Sequence, residues 1–179
     1  MEQPRFLLDG TLGRLARNLR MFGLDAKWVD LPFREVVGLG SREGRWILTR
    51  RAGYRAVAVG SVPVIRILAD VADAQVVEVL RLLPAPVDRS RWFWRCLRCN
   101  EQLEALPHDL AKDRLPDHVA LVHRSFRHCS SCGRMYWPGT HRERMLLSLN
   151  SWAKQAWGEA WEAGLETDLG RDLGQRAPG

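Results

Sequence analysis

The amino-acid sequence predicts an α/β fold, with a mainly parallel sheet and helices on both faces, followed by a small cysteine-rich module and a C-terminal helix. Residues 1–83 alternate short apolar strands with amphipathic helical stretches, an order that favours a parallel sheet because each crossover helix packs back onto it. All four cysteines fall within 91–144, and residues 145–165 have a helical pattern that carries three tryptophans. The stretch 84–90 is predicted to be a linker, and the tail 166–179 to be disordered.

The first strand and helix are predicted from a short apolar run and the helical pattern after it. The stretch "RFLL" reads as a strand that ends at Asp9, and Thr11 is placed to cap the helix "LGRLARNLRMF". Apolar residues recur in that helix at helical spacing and should face the core: Leu12, Leu15, Ala16, Leu19 and Phe22. Gly23 ends the helix, and "DAKWV" is the second strand.

The remaining elements of residues 1–83 continue the same alternation. A second helix around "FREVVGLGSREG" is weakened by its glycines. Three strands follow, "RWILT", "AVAV" and "PVIRILAD", and then the helix "ADAQVVEVLRLL", which Pro84 closes. This order predicts helices on both faces of the sheet.

The charge of the chain is positive and is carried almost entirely by arginine. The 179 residues include 27 Lys and Arg against 21 Asp and Glu, a net charge of +6, and only Lys27, Lys112 and Lys154 are lysines. Arginine suits phosphate because its planar fork engages two oxygens at once. A basic composition fits either a nucleic-acid partner or a merely soluble basic surface.

Nothing in the sequence indicates a membrane or a secretory route. The start, "MEQPRFLLDG", has an acid at the second position and no apolar core of signal-peptide length. The most apolar region is interrupted by Pro63, Arg66, Asp70 and Asp73, so it is not expected to span a bilayer. We therefore expect a cytoplasmic protein without membrane contact.

The four cysteines form two CxxC pairs, Cys96 with Cys99 and Cys129 with Cys132, separated by 29 residues. Two intervening residues let both thiolates of a pair reach one ion, and two such pairs complete a tetrahedron. In a reducing compartment this spacing predicts structural Zn²⁺ rather than disulfides. The alternatives are a redox pair or two unrelated turns. The five histidines lack the spacing of a second metal site.

Acidic and basic residues are predicted to meet where the strands end. Asp9 and Asp70 end two different strands, and in parallel sheets ligands bind at that edge. Clustered carboxylates hold Mg²⁺ or Mn²⁺, which activate water for phosphodiester hydrolysis; alternatively, each aspartate only caps the following helix. Arg50 and Arg51 should lie at the same edge, to pair with Asp9 or hold phosphate, unless they are a solvated charge run.

An RNA-binding surface is predicted from arginines and aromatic residues. A positive patch would contact the nucleic-acid backbone through Arg14, Arg17, Arg50, Arg51 and Arg55. The stretch "RWFWRC" adds Trp92 and Trp94, either of which could stack on an unpaired base. The alternative is that the aromatic residues form the small core of the cysteine-rich module.

Four blocks in order, "FLLDGTLGRLARNLRMFGLDA", "RWILTR", "RCLRCNEQL" and "CSSCGRMYWPGTHRERM", resemble the Mut-seven C-terminal RNase domain family. The resemblance spans about Phe6 to Met145 and implies a PIN-like nuclease fold joined to a zinc ribbon. It implies an acidic Mg²⁺ or Mn²⁺ site and an RNA substrate. By position, Asp9 matches the acid of the first strand and Asp25 the acid of a "GYD"-like block, while Asp70 or Asp73 falls where a late acid is expected.

The sequence departs from the family pattern at two positions. The family usually reads TRD where this chain has Thr49-Arg50-Arg51, so an arginine stands where a metal-site acid is expected. The preceding block, which normally carries another acid, reads "PFRE" and leaves Glu35 as the nearest carboxylate. A cation in that position should weaken Mg²⁺ binding and preserve the attraction for phosphate.

Three functions follow from these patterns. The first is an RNA-binding protein with a metal site weakened by Arg51. The second is an active metal-dependent ribonuclease that uses Asp9, Asp25, Asp70 and Glu35. The third is a protein-interaction module whose C-terminal helix docks a partner through its tryptophans, although packing of that helix on its own domain is an equal alternative.

Overall fold

The structure is a computed structural model that describes residues 3–53, 57–59, 62–159 and 161. The predictions made for Arg55 and for the tail 166–179 concern residues outside these ranges.

The first half of the chain forms a five-stranded sheet in the order β2-β1-β3-β5-β4. Its strands are β1 (Phe6–Leu8), β2 (Ala26–Trp28), β3 (Trp46–Thr49), β4 (Val57–Val59) and β5 (Val62–Arg66). Strands β2, β1, β3 and β5 are parallel, and β4 joins the edge antiparallel to β5. The predicted α/β class with a mainly parallel sheet is therefore confirmed.

Helices cover both faces of this sheet, as the alternation of apolar residues along the strands requires. They are α1 (Gly13–Met21), α2 (Phe33–Glu43) and α3 (Ala72–Leu80). Leu8 and Leu48 belong to the core beneath α1 and α3, whereas Leu7 and Ile47 pack on the opposite face against α2. Neighbouring strand residues point to opposite faces, so β1 and β3 each supply residues to both cores.

The cysteine-rich module contains a three-stranded antiparallel sheet in the order β6-β7-β8. Its elements are β6 (Glu104–Leu106), α4 (His108–Ala111), α5 (Asp117–Val122), β7 (Phe126–His128) and β8 (Met135–Tyr136). The two short helices lie between β6 and β7 and account for the long separation between the CxxC pairs. A small separate core of Ala111, Val119 and Phe126 packs beneath them.

The C-terminal helix α6 (Thr140–Trp157) begins five residues before the predicted start at 145 and returns to the α/β unit. Trp152 and Trp161 are buried in the main core, and the indole Nε1 of Trp157 donates a hydrogen bond to the Leu80 carbonyl at 3.1 Å. These tryptophans pack on their own chain, which is the second of the two alternatives left open for this helix. Among the described residues, no helix combines the length and apolar character that crossing a membrane requires.

Candidate functional site

Asp9 lies at the carboxyl edge of the sheet, directly after β1, and its side chain is fully buried. Its Oδ1 accepts hydrogen bonds from the backbone N–H and the hydroxyl of Thr11, and its Oδ2 accepts one from the hydroxyl of Thr49 at 2.5 Å. Asp9, and not Thr11, caps the turn Gly10–Leu12 that leads into α1. Asp9 therefore has both of the roles considered for it, since it caps the turn that follows β1 and also places a carboxylate at the carboxyl edge of the sheet.

Arg51 completes the surroundings of Asp9. Its guanidinium Nε lies 3.5 Å from Asp9 Oδ2, and its backbone N–H donates to the Thr49 hydroxyl at 3.1 Å. The guanidinium also lies over the ring of Phe33, 5.7 Å from the ring centre. The Arg51 side chain is half exposed, so one side of its charge faces Asp9 and the other faces solvent.

Two more acids lie at the carboxyl edge. Asp70, 85% exposed, pairs with Arg50 across the ends of β3 and β5. Asp30 follows β2 and packs against Gly10, where an added Cβ would meet the carboxylate Oδ1 at 2.4 Å. Sequence reasoning did not select Asp30, although it follows a parallel strand just as Asp9 does. In the part of the chain that the structure describes, Asp9, Asp30 and Asp70 thus lie at this edge together with Arg50 and Arg51.

Asp25 is not part of this edge, and this placement corrects the prediction that it joins Asp9. It precedes β2, and its backbone carbonyl accepts a hydrogen bond from the N–H of Phe6 at the start of β1. Parallel strands start at one edge and end at the other, so the length of β1 separates Asp25 from Asp9. Its carboxylate instead binds Arg45 at 2.5 Å and Asn100 at 2.7 Å.

Asp25 belongs to a polar contact between the two modules, which we call the ribbon junction: Arg20, Asp25, Ala26, Arg95 and Asn100. Asn100 accepts from the Ala26 N–H at 2.9 Å, and Arg20 donates to the carbonyl groups of Leu97 and Arg98. Arg95 Nη2 lies 3.6 Å from Asp25 Oδ2. Burial alone would raise the pKa of Asp25, but hydrogen bonds from Arg45 and Asn100 and the charge of Arg95 outweigh it and lower the pKa. Asp25 therefore ties the modules together.

The exchange Asp25→Asn is expected to destabilise the protein by about 2–4 kcal/mol. It removes the carboxylate partner of Arg95 and one of the two carboxylate partners of Arg45, which keeps only Glu43. The folded-state pKa lies below the ordinary value of 3.8. The stabilisation should therefore be complete above pH 5 and be lost as the pH falls through the folded-state pKa. Urea unfolding at pH 7, followed by circular dichroism, measures the difference.

The matched control for this change is Glu35→Gln. Glu35 is exposed on α2, with no contact to Asp9 among the described residues. Its replacement should change the free energy of unfolding by less than about 0.5 kcal/mol. Equal effects of the two exchanges would contradict a structural role for Asp25.

The predicted arginines occupy two places. Arg50 and Arg51 lie at the carboxyl edge, and Arg14 and Arg17 are exposed on α1, three residues apart and hence on one helix face.

Of the two tryptophans predicted to stack on a base, one is buried and one is exposed. Trp92 is 6% exposed and stacks on Trp161 at 5.4 Å, so it cannot receive a base. Trp94 is 46% exposed, with Arg127 4.5 Å above its ring.

The four cysteines converge on one point. Their sulfur atoms all lie within 4.8 Å of one another, with Cys96 and Cys132 3.6 Å apart and Cys99 and Cys129 3.3 Å apart. A tetrahedral Zn²⁺ with bonds of about 2.3 Å places its sulfurs about 3.8 Å apart. The cluster therefore has the donors and spacing to hold one metal ion such as zinc.

Two matching turns build this cluster. Asn100 (φ 74°) and Gly133 (φ 70°) both have left-handed backbone and close their CxxC turns by donating N–H to the carbonyls of Cys96 and Cys129. Burial raises the pKa of Cys129 to about 12. In Cys96 burial is outweighed by hydrogen bonds from Tyr136 and backbone N–H groups, and its pKa falls to about 6. Thiols held this close ionise together only around a cation.

The fold and these two sites define the class: an α/β domain with acidic residues at the carboxyl edge of its sheet, joined to a small module whose four cysteines could hold a metal ion such as zinc. The family model described as Mut7-C RNAse domain matches residues 4–149. The chain therefore belongs to the Mut7-C RNase domain family, and the resemblance noted in the sequence is confirmed. Searches of curated proteins and of solved structures found no match.

Proposed function

We propose that this protein binds RNA at the carboxyl edge of its sheet, and that Arg51 takes the place of a divalent ion there. The ion pair between Arg51 and the buried Asp9 is the observation that carries this proposal. RNA is then held by the edge but is cleaved slowly or not at all. We further propose that the cysteine cluster holds structural Zn²⁺ and that the protein is cytoplasmic, since cysteines stay reduced in the cytoplasm and are free to bind a metal.

The charges at the edge support a weakened ion site. Of the three carboxylates, Asp9 is paired with Arg51 and Asp70 with Arg50. A divalent ion about 5 Å from a guanidinium meets a repulsion of about 6–7 kcal/mol at an effective dielectric of 20. Water around the half-exposed Arg51 reduces this repulsion to a few kcal/mol. Each 1.4 kcal/mol lowers affinity tenfold, so Mg²⁺ binding should weaken by at least about tenfold.

The same charges favour phosphate. Arg51 has one side of its guanidinium in solvent, and Arg50 lies beside it at the end of β3. Arg14 is exposed on the first turn of α1, which follows Asp9 in the chain. Arginine forks bind phosphate oxygens without reading sequence, so the edge suits the RNA backbone.

The proposal predicts salt-sensitive RNA binding without cleavage. Fluorescence anisotropy of a labelled single-stranded RNA should show binding at 50 mM salt that weakens at least about tenfold at 200 mM, since released counterions drive the interaction. Incubation with Mg²⁺ or Mn²⁺ should leave the RNA intact on gels. Rapid cleavage would contradict the proposal, and so would the absence of binding at 50 mM salt.

An active metal-dependent ribonuclease is the second candidate, and Asp30 is the observation that favours it. Asp30 adds a third carboxylate at the edge, so a metal site could form there without Asp25 or Glu35. In this case Mn²⁺-dependent cleavage would be present in the wild type and abolished by Asp9→Asn. The cleavage assay above separates the two candidates.

A further inference from the structure

We propose that a groove between the zinc ribbon, α1 and α6 is a second binding surface for single-stranded RNA. The groove consists of two adjoining cavities of about 620 and 410 Å³. They share five lining residues: Leu97, Tyr136, Trp137, Arg142 and Met145. Each volume lies in the range of ligand sites in proteins. We call this surface the ribbon groove; it rests on the proposed RNA binding and lies outside the carboxyl edge.

The charge of the ribbon groove is of one sign. Among the described residues, no carboxylate lines the groove. Six arginines line it: Arg17, Arg89, Arg98, Arg127, Arg134 and Arg142. A chain with 21 Asp and Glu has acids enough to neutralise such a surface. A cleft lined by one sign of charge concentrates ligands of the opposite sign, so the ligand is an anion.

Three of these arginines are available to a ligand. Within the described part of the chain, the side chains of Arg17, Arg98 and Arg134 have no hydrogen bond and no ion pair. Arg127 and Arg142 lie over the rings of Trp94 and Phe93 instead, at 4.5 and 4.9 Å. Phosphate can bind these three arginines without breaking an ion pair within the protein. At the carboxyl edge, in contrast, phosphate would compete with Asp70 for Arg50 and with Asp9 for Arg51.

The aromatic lining distinguishes RNA from other anions. Trp137 and Tyr136 are half-buried in the wall that the two cavities share, and Trp94 is partly exposed beside them. Stacking of a base on an aromatic face is typical of proteins that bind single strands, and it is independent of sequence. An acidic peptide would use the arginines but not the flat faces. Arginines with aromatic faces therefore favour single-stranded RNA.

The position of Arg17 connects the ribbon groove with the carboxyl edge. Arg17 lines the groove, and Arg14 lies one helical turn nearer the start of α1, about 4.5 Å along the helix axis. The helix starts at the carboxyl edge and ends at the ribbon junction. One strand of RNA can thus contact both surfaces by running along α1.

The double exchange Arg17→Glu with Arg134→Glu tests the ribbon groove. Anisotropy with a labelled 20-nucleotide RNA should give an affinity about a hundredfold below wild type, at roughly tenfold for each arginine–phosphate interaction that the exchange removes. The slope of log affinity against log salt should fall by about 1.4, since each phosphate that the protein no longer neutralises lowers the slope by about 0.7. Zinc content and circular dichroism should match the wild type.

The control is Arg124→Glu, an exposed arginine of the ribbon that lines neither cavity. Its affinity should stay within about twofold of wild type. If the wild type binds RNA and the affinity of the double variant lies within threefold of it, the groove is not an RNA-binding surface. The proposed function at the carboxyl edge would remain intact. Absence of wild-type binding would overturn both. Equal affinity for a polyglutamate peptide of matched charge would overturn the choice of RNA.

Discussion

Replacing Arg51 with aspartate is expected to increase affinity for Mn²⁺ by at least about a hundredfold. The exchange removes the cation that lies 3.5 Å from Asp9 Oδ2 and adds a carboxylate ligand beside Asp9 and Asp30. Removal of a repulsion of a few kcal/mol is enough for this gain, at tenfold per 1.4 kcal/mol. Calorimetric Mn²⁺ titration measures affinity, and a gel assay measures RNA cleavage, which should appear in this variant.

Two further variants separate repulsion from ligation. Arg51→Gln removes the charge without adding a ligand and should bind Mn²⁺ with intermediate affinity. Asp9→Asn in the Arg51→Asp background should abolish both binding and cleavage, with circular dichroism as the control for folding because Asp9 is buried. Vigorous cleavage by the wild type that disappears in Arg51→Asp would reject the role given to Arg51.

Replacing Cys129 with serine is expected to reduce bound zinc from about one ion per chain to none and to unfold the ribbon. Structural zinc supplies about 10–16 kcal/mol of folding free energy in small zinc domains. The destabilisation should spread, because the Cys96–Asn100 turn carries Asn100, which binds Ala26 and Asp25 at the ribbon junction. Thermal unfolding should therefore shift to lower temperature by at least about 10 °C.

Ser131→Ala is the matched control, since Ser131 is an exposed residue of the same CxxC turn that offers no sulfur. It should retain zinc and unfold within about 2 °C of wild type. Elemental analysis gives the zinc content, and a chelator should convert the wild type to the behaviour of Cys129→Ser. A zinc-free protein that unfolds at the wild-type temperature would show that the cluster has no structural role.

The sequence alone determined the order of elements and the four-cysteine cluster. Strand and helix periods depend on each residue and its near neighbours, so the strand before Asp9 and the apolar face of the following helix could be predicted from local pattern. The two CxxC pairs specify a site by spacing alone. The sequence also predicted Arg51 at the same edge as Asp9, because both residues come after parallel strands, but it left open whether the two side chains pair.

Only the tertiary structure decided which acids meet and which aromatic residues are buried. The family pattern favoured Asp25, yet strand direction places Asp25 at the ribbon junction and Asp30 at the carboxyl edge. Trp92 faces Trp161, 69 positions later in the chain, and nothing local marks it as buried. Local pattern specifies what a segment is, whereas contacts between distant segments depend on packing that minimises exposed apolar area over the whole chain.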